Sequence, residues 1–291
     1  MRSVRRAGLA LTAATALILA ACSAGEPGQT GGSATASGSE TGSGGTAGGD
    51  TITIGIKFDQ PGLGLKEGND FTGFDVGVAK YVAGKLGYAE NQIKFVESIS
   101  SQRETLLENG SVDMIFATYS ITDARKERVA FAGPYFVAGQ DLLVAADNTD
   151  ITGPDSLNGK VLCSVEGSTS AERIRDEHAQ QTQLYPAPTY SECVELLSAG
   201  NVDAVTTDDV ILAGYAAQSQ YEGKFKLVGQ PFSEENYGVG LPKDNDRCED
   251  VNAAITSMID DGTWEELIKK NVGESFTPNP SLNPPKVQAC A

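Results

Sequence analysis

Histidine and tryptophan occur once each in the 291 residues, and methionine three times. The lone His178 sits on a polar helical face, Arg173 to His178, with no visible catalytic or ligating partner. Nothing resembles a nucleophile elbow, and a Ser-His-Asp triad has no well-placed imidazole. Zinc would need paired Cys or His ligands at close spacing, and no CxxC is present, so no metal and no cofactor is expected. Basic residues are also scarce, with 22 Lys and Arg against 39 Asp and Glu. Such an acidic chain is a poor partner for nucleic acid or anionic lipid. Beyond residue 21 no run is apolar enough to cross a bilayer.

The amino terminus reads as an export signal. Arg2, Arg5 and Arg6 form a basic start, and residues 8 to 20 form an apolar run too short to span a membrane comfortably. The run ends in Leu19-Ala20-Ala21-Cys22, which resembles the lipobox of bacterial lipoproteins. The expectation is a signal peptide over residues 1–21 and a diacylglycerol on Cys22, holding the protein at the outer face of the cytoplasmic membrane. Residues 22–50 then form a tether, built mainly from Gly, Ser, Thr, Ala and Glu, that cannot bury enough surface to fold. Removing residues 1–21 takes away three arginines and no acids, leaving a charge of −20.

Without Cys22, four of the five cysteines remain, an even number in an exported chain. Three pairings are possible. Cys163 with Cys193 is favoured because both lie in one local βαβ stretch, and Cys248 with Cys290 because it would pin the C-terminal tail.

From Thr51 onward strands and helices alternate, the sign of an α/β protein with mainly parallel sheets. Ile52, Ile54 and Ile56 mark a strand. Phe74, Val78, Val82 and Leu86 mark a helix closed by Gly87. Further elements follow: a strand at 94–96, a helix at 101–109 and a strand at 112–117. A second set comprises a strand at 160–165, helices at 168–179 and 191–199, and a strand at 202–206. A final strand, 237–241, precedes helices at 246–260 and 263–270. Leu106 to Asp113 is echoed by Leu196 to Asp203, each a helix end, a glycine cap and the start of a buried strand. Two similar lobes are therefore predicted, 51–144 with 237–291 and 145–236, joined by two extended crossings near 141–145 and 228–237.

Several segments carry a family resemblance over Thr51 to Val272. They are Thr72-Gly73-Phe74-Asp75-Val76, Gly110-Ser111-Val112-Asp113, and Ser120 to Arg125 followed by Val129 to Tyr135. Another is Asp261-Gly262-Thr263-Trp264. Together they resemble the bacterial solute-binding proteins of family 3, which have the type II periplasmic-binding-protein fold and deliver amino acids to ABC permeases. Gly55 to Gly62 points to the glutamate-binding members. The resemblance implies a monomer that binds a free amino acid between its lobes and catalyses nothing.

The resemblance also implies roles. Arg125 and Ser120 would take the α-carboxylate, a guanidinium gripping it with two parallel hydrogen bonds beside a helix capped by Thr122. Thr169, with Ser168, would close on it from the other lobe, although Ser168 in Gly167-Ser168-Thr169-Ser170 also suits plain helix capping. Asp208 would meet the ammonium with the Thr118 carbonyl, Asp209 being the rival that caps the next helix. Ser100 and Arg103 resemble the segment that holds a distal carboxylate, and Lys57 stands where such relatives carry a basic residue. Arg103 is equally open to a bracing role. Three cations against one acid favour an acidic amino acid, glutamate or aspartate, with glutamate first, over a neutral polar amino acid such as glutamine. A dehydratase built on this fold and a sensor ectodomain are the rival functions. Trp264 is read as a packing residue.

Overall fold

The computed structural model describes residues 51–178 and 181–290. The export signal, Cys22, the tether and Ala179, expected to end a helix, lie outside the described residues.

The chain starts with β1 (Ile52–Ile56), then three short strands, β2 (Asp59–Gln60), β3 (Gly64–Glu67) and β4 (Asp70–Thr72), and α1 (Phe74–Lys85). Gly73 is required where β4 turns into α1. Its φ is +117°, and a Cβ there would lie 2.0 Å from the Leu63 carbonyl oxygen. Next come β5 (Ile93–Glu97), α2 (Arg103–Glu108), β6 (Met114–Ile115), α3 (Asp123–Lys126), β7 (Ala130–Ala138) and β8 (Gln140–Ala145). The second half holds β9 (Val161–Val165), α4 (Thr169–Arg173), β10 (Gln183–Ala187), α5 (Tyr190–Ser198), β11 (Ala204–Asp208), α6 (Asp209–Ala216) and β12 (Phe225–Leu227). The chain closes with β13 (Glu235–Leu241), α7 (Cys248–Asp260) and α8 (Thr263–Asn271).

Two five-stranded sheets share one plan. The first runs β5-β1-β6-β13-β7 and the second β10-β9-β11-β8-β12. In each, the first three strands are parallel and the last two join antiparallel. The echoed segments lead into β6 and β11, the third strand of each sheet. The fourth position goes to a strand that has just crossed over, β13 in the first sheet and β8 in the second. Strand β8 was expected as a crossing within the first lobe to residue 144. It pairs with β11 instead, so the first crossing falls at Gly139. The second crossing, 228–234, runs beside β8, with Val228 and Phe232 donating backbone N–H bonds to Leu142 and Gln140.

An aromatic group centres the first lobe: Phe74, Phe136 and Trp264 lie with ring centroids 5.7–6.2 Å apart. The Trp264 indole N–H donates to the Tyr135 carbonyl at 2.7 Å, satisfying its polar handle. Cys163 is joined to Cys193 and Cys248 to Cys290, the favoured pairing, with Cα atoms 5.4 and 6.0 Å apart. The second bond fastens the tail to α7, and Asn283 holds the same tail to Val137 by hydrogen bonds in both directions.

Candidate functional site

Thr122 caps α3 as the sequence suggests, its hydroxyl accepting from the Arg125 N–H at 3.2 Å. The Arg125 side chain folds back over Tyr119 and Ser120. Nη1 donates to the Ser120 carbonyl at 2.8 Å, and Nη2 reaches across to the Gly167 carbonyl of the second lobe at 3.1 Å. Nε lies 3.4 Å from Glu104 Oε1, which also accepts from the Tyr119 hydroxyl at 2.7 Å. The Tyr119 ring carries two cations, with the Arg125 and Arg103 guanidinium carbons 4.8 and 5.0 Å from its centroid.

Arg103 is 3% exposed and has no ion-pair partner among the described residues. Its Nε is buried without a hydrogen-bond acceptor. Burial, and then the neighbouring Arg125 charge, push its pKa down. A guanidinium in that state favours an incoming anion, because an unpaired buried charge is expensive.

The second lobe supplies the opposite sign. Asp208 ends β11 and is buried, with Oδ2 accepting from the Tyr237 hydroxyl at 2.6 Å and Oδ1 lacking a partner. Burial and then the nearby Glu235 charge hold its pKa well above the usual carboxylate range. A cation beside Oδ1 would meet both deficits. Asp209 faces elsewhere, accepting from the N–H of Gly139 at the first crossing and from Val210. The neighbours thus divide as cavity acid and structural acid. Ser168 caps α4, its hydroxyl accepting from Ala171 N–H at 3.3 Å, and the Thr169 hydroxyl donates to Glu235 at 3.2 Å.

Ser100, Arg103, Thr118, Ser120, Arg125, Ser168, Thr169 and Asp208 border one small space between the lobes. Eight of the nine expected contacts are thereby brought together. Lys57 is not among them: it is fully buried, with Nζ 3.1 Å from Asp59 Oδ1. Ser170, Tyr190, Thr207 and Ile211 also line the space and were missed. Ser170 and Thr207 adjoined segments already singled out, whereas Tyr190 carried no local signal. The space is about 10 Å³, room for a single water. It shares Ser100, Arg125 and Thr169 with an outer cleft of about 650 Å³.

The lobes stand shut around it. A Cβ on Gly167 would lie 2.8 Å from the Ser101 Cα, and one on Gly214 would lie 2.4 Å from the Pro61 carbonyl. Asp59 bridges the same junction. Its Oδ2 accepts from the Ser191 N–H and hydroxyl at 3.3 Å, and its backbone carbonyl accepts from the Tyr215 hydroxyl.

Residues 52–274 match the family described as bacterial extracellular solute-binding proteins, family 3. The glutamate-binding protein GluB of Corynebacterium glutamicum is 48% identical over 77% of this chain and 79% of its own length. The ABC transporter glutamine-binding protein GlnH of Bacillus subtilis is 35% identical, over 77% of this chain and 82% of its own. Among solved structures, an ancestral arginine-binding protein bound to glutamine superposes with a TM-score of 0.71 at 33% identity, covering 77% of this chain and 98% of that one.

Proposed function

This chain belongs to the bacterial extracellular solute-binding proteins of family 3, and from that premise we propose that it captures a free acidic amino acid, glutamate, for an ABC permease. The observation that carries the choice of ligand is Arg103. It is a buried guanidinium without a carboxylate in ion-pair range among the described residues, bordering the same space as Arg125 and Asp208. A ligand with two carboxylates and one ammonium complements that set charge for charge. The name of the relative from Corynebacterium glutamicum supports the same ligand. A glutamine-binding reading has its own support in the relative from Bacillus subtilis.

In this reading Arg125 and Ser120 hold the α-carboxylate, joined by Thr169 and Ser168 when the lobes meet. Asp208 and the Thr118 carbonyl receive the ammonium, and Arg103 with Ser100 receives the distal carboxylate. Lys57, paired with Asp59 and outside the lining of the space, is not assigned a ligand contact in this reading. The protein catalyses nothing, its export signal covers residues 1–21, and a lipid on Cys22 holds it outside the cytoplasmic membrane.

Calorimetric titration with the twenty amino acids tests the proposal. Glutamate should bind tightest, with aspartate next. A protein that prefers glutamine, or binds no amino acid, would sink it.

A further inference from the structure

Thr118 borders the cavity with φ of +46°, and it alone among the described non-glycine residues has a positive φ. That conformation is unfavourable for a β-branched residue and persists only where the surroundings hold it. The Thr118 N–H donates to Asp75 Oδ2 at 2.9 Å. Its hydroxyl lies 2.7 Å from the Ala117 carbonyl and 3.3 Å from Gln60 Oε1.

Asp75 is completely buried in the first turn of α1. An acid at that position is ordinarily explained by the helix dipole. Here both oxygens are taken by other elements: Oδ2 by Thr118, and Oδ1 by the Tyr135 hydroxyl of β7 at 2.8 Å. It is wholly buried between Phe74 and Val76 in the sequence, both buried too, a position that would suit an apolar residue unless the acceptor is needed.

We infer that Asp75 is a positioning residue for ligand binding, whose carboxylate holds the Thr118 backbone in the bend that presents its carbonyl to the ligand's ammonium. The ammonium part of this rests on the functional reading above; the hold on Thr118 does not.

The test is a double-mutant cycle of Asp75→Leu and Thr118→Gly, read by glutamate titration and by thermal unfolding without ligand. Leucine keeps the branched shape, at a larger volume, and removes the acceptor, whereas glycine adopts positive φ without strain and needs no carboxylate to hold it. Asp75→Leu is expected to weaken glutamate binding ~10-fold or more, and adding Thr118→Gly to recover at least ~3-fold of that loss. A residue that merely fills the core gives no such rescue. Additive effects on both affinity and unfolding midpoint would overturn the assignment. If the leucine variant does not fold, Asp75→Ala, which also lacks an acceptor, replaces it in the cycle. Hydrogen exchange at the Thr118 amide is then read as well, and unchanged protection with unchanged affinity counts against the inference. A wild-type protein that binds neither glutamate nor glutamine sinks the functional reading instead. The unfolding cycle still decides whether Asp75 supports Thr118.

Discussion

Arg103 separates two roles that look alike in sequence, reading the ligand and bracing the pocket. The structure leaves it buried beside Tyr119 with Nε unsatisfied and no carboxylate in ion-pair range among the described residues. Replacing it with glutamine should therefore cost glutamate its distal partner while glutamine, an amide, still finds neutral donors. The glutamate-to-glutamine affinity ratio is expected to fall by an order of magnitude or more in Arg103→Gln, about 1.4 kcal/mol or above. Parallel losses of both would make Arg103 a brace. Lys57→Met is expected to lower both affinities together, because Lys57 pairs with Asp59 and does not border the cavity. Arg125, Ser120 and Asp208 were singled out through the family resemblance, and the structure brings them to one space. The roles of Tyr190 and Asp75 could not be read from the sequence, since what they do depends on segments well separated in the chain, Thr118 and Tyr135 for Asp75 and Ser164, Ser168 and Thr207 for Tyr190.

Among the elements, helices with one apolar face and strands closed by glycine were the legible ones. Helix α1 falls within a residue or two of its expected span. Strand β7 was not read as a strand, because nine wholly buried residues show no alternation and Gly133-Pro134 in its middle argues against one. Helix α6 was expected only as the helix that Asp209 would cap, without a span, because Val210, Ile211, Leu212 and Ala213 are all buried and leave no amphipathic stripe. Both disulfides tie such elements to their neighbours: β9 to α5 across a sequence separation of 30, and α7 to the tail across 42. Loops of that size limit the unfolded chain by roughly 3–4 kcal/mol each in the chain-entropy account. The protein exported from its native host is expected to resist thiol labelling until reduced. Removing either pair by serine substitution should lower the unfolding midpoint. Free thiols at Cys163 and Cys248 in that exported protein would refute the pairing.

At the scale of the whole molecule the question is what shuts the cleft. An amino acid needs far more room than the space of about 10 Å³ offers as it stands, so binding requires the lobes to part at the two crossings and to settle again around the ligand. Parting would break the Arg125–Gly167 bond and the bonds from Asp59 to Ser191 and Tyr215. The ligand favours closure only to the extent that it binds the shut form more tightly, which follows if Arg125 and Thr169 meet it together. Small-angle scattering should accordingly give a smaller radius of gyration with glutamate than without. Identical curves with ligand confirmed bound would mean either that the cleft does not close on it or that the ligand-free form is already shut. The Asp59 contacts distinguish closure from recognition, because they border no ligand yet exist only between the lobes. Removing the two hydroxyls in Ser191→Ala with Tyr215→Phe takes away closed-form hydrogen bonds and leaves the cavity lining, including Arg103 and Asp208, intact. Each such bond contributes about 1 kcal/mol, so affinity is expected to fall roughly 10- to 30-fold, mainly through faster dissociation. The loss should be equal for glutamate and glutamine, in contrast to Arg103→Gln, since a weakened latch penalises every ligand that needs the shut form. A double variant that binds glutamate as tightly as wild type would show that these bonds are equally well made to water in the open form and contribute nothing to closure.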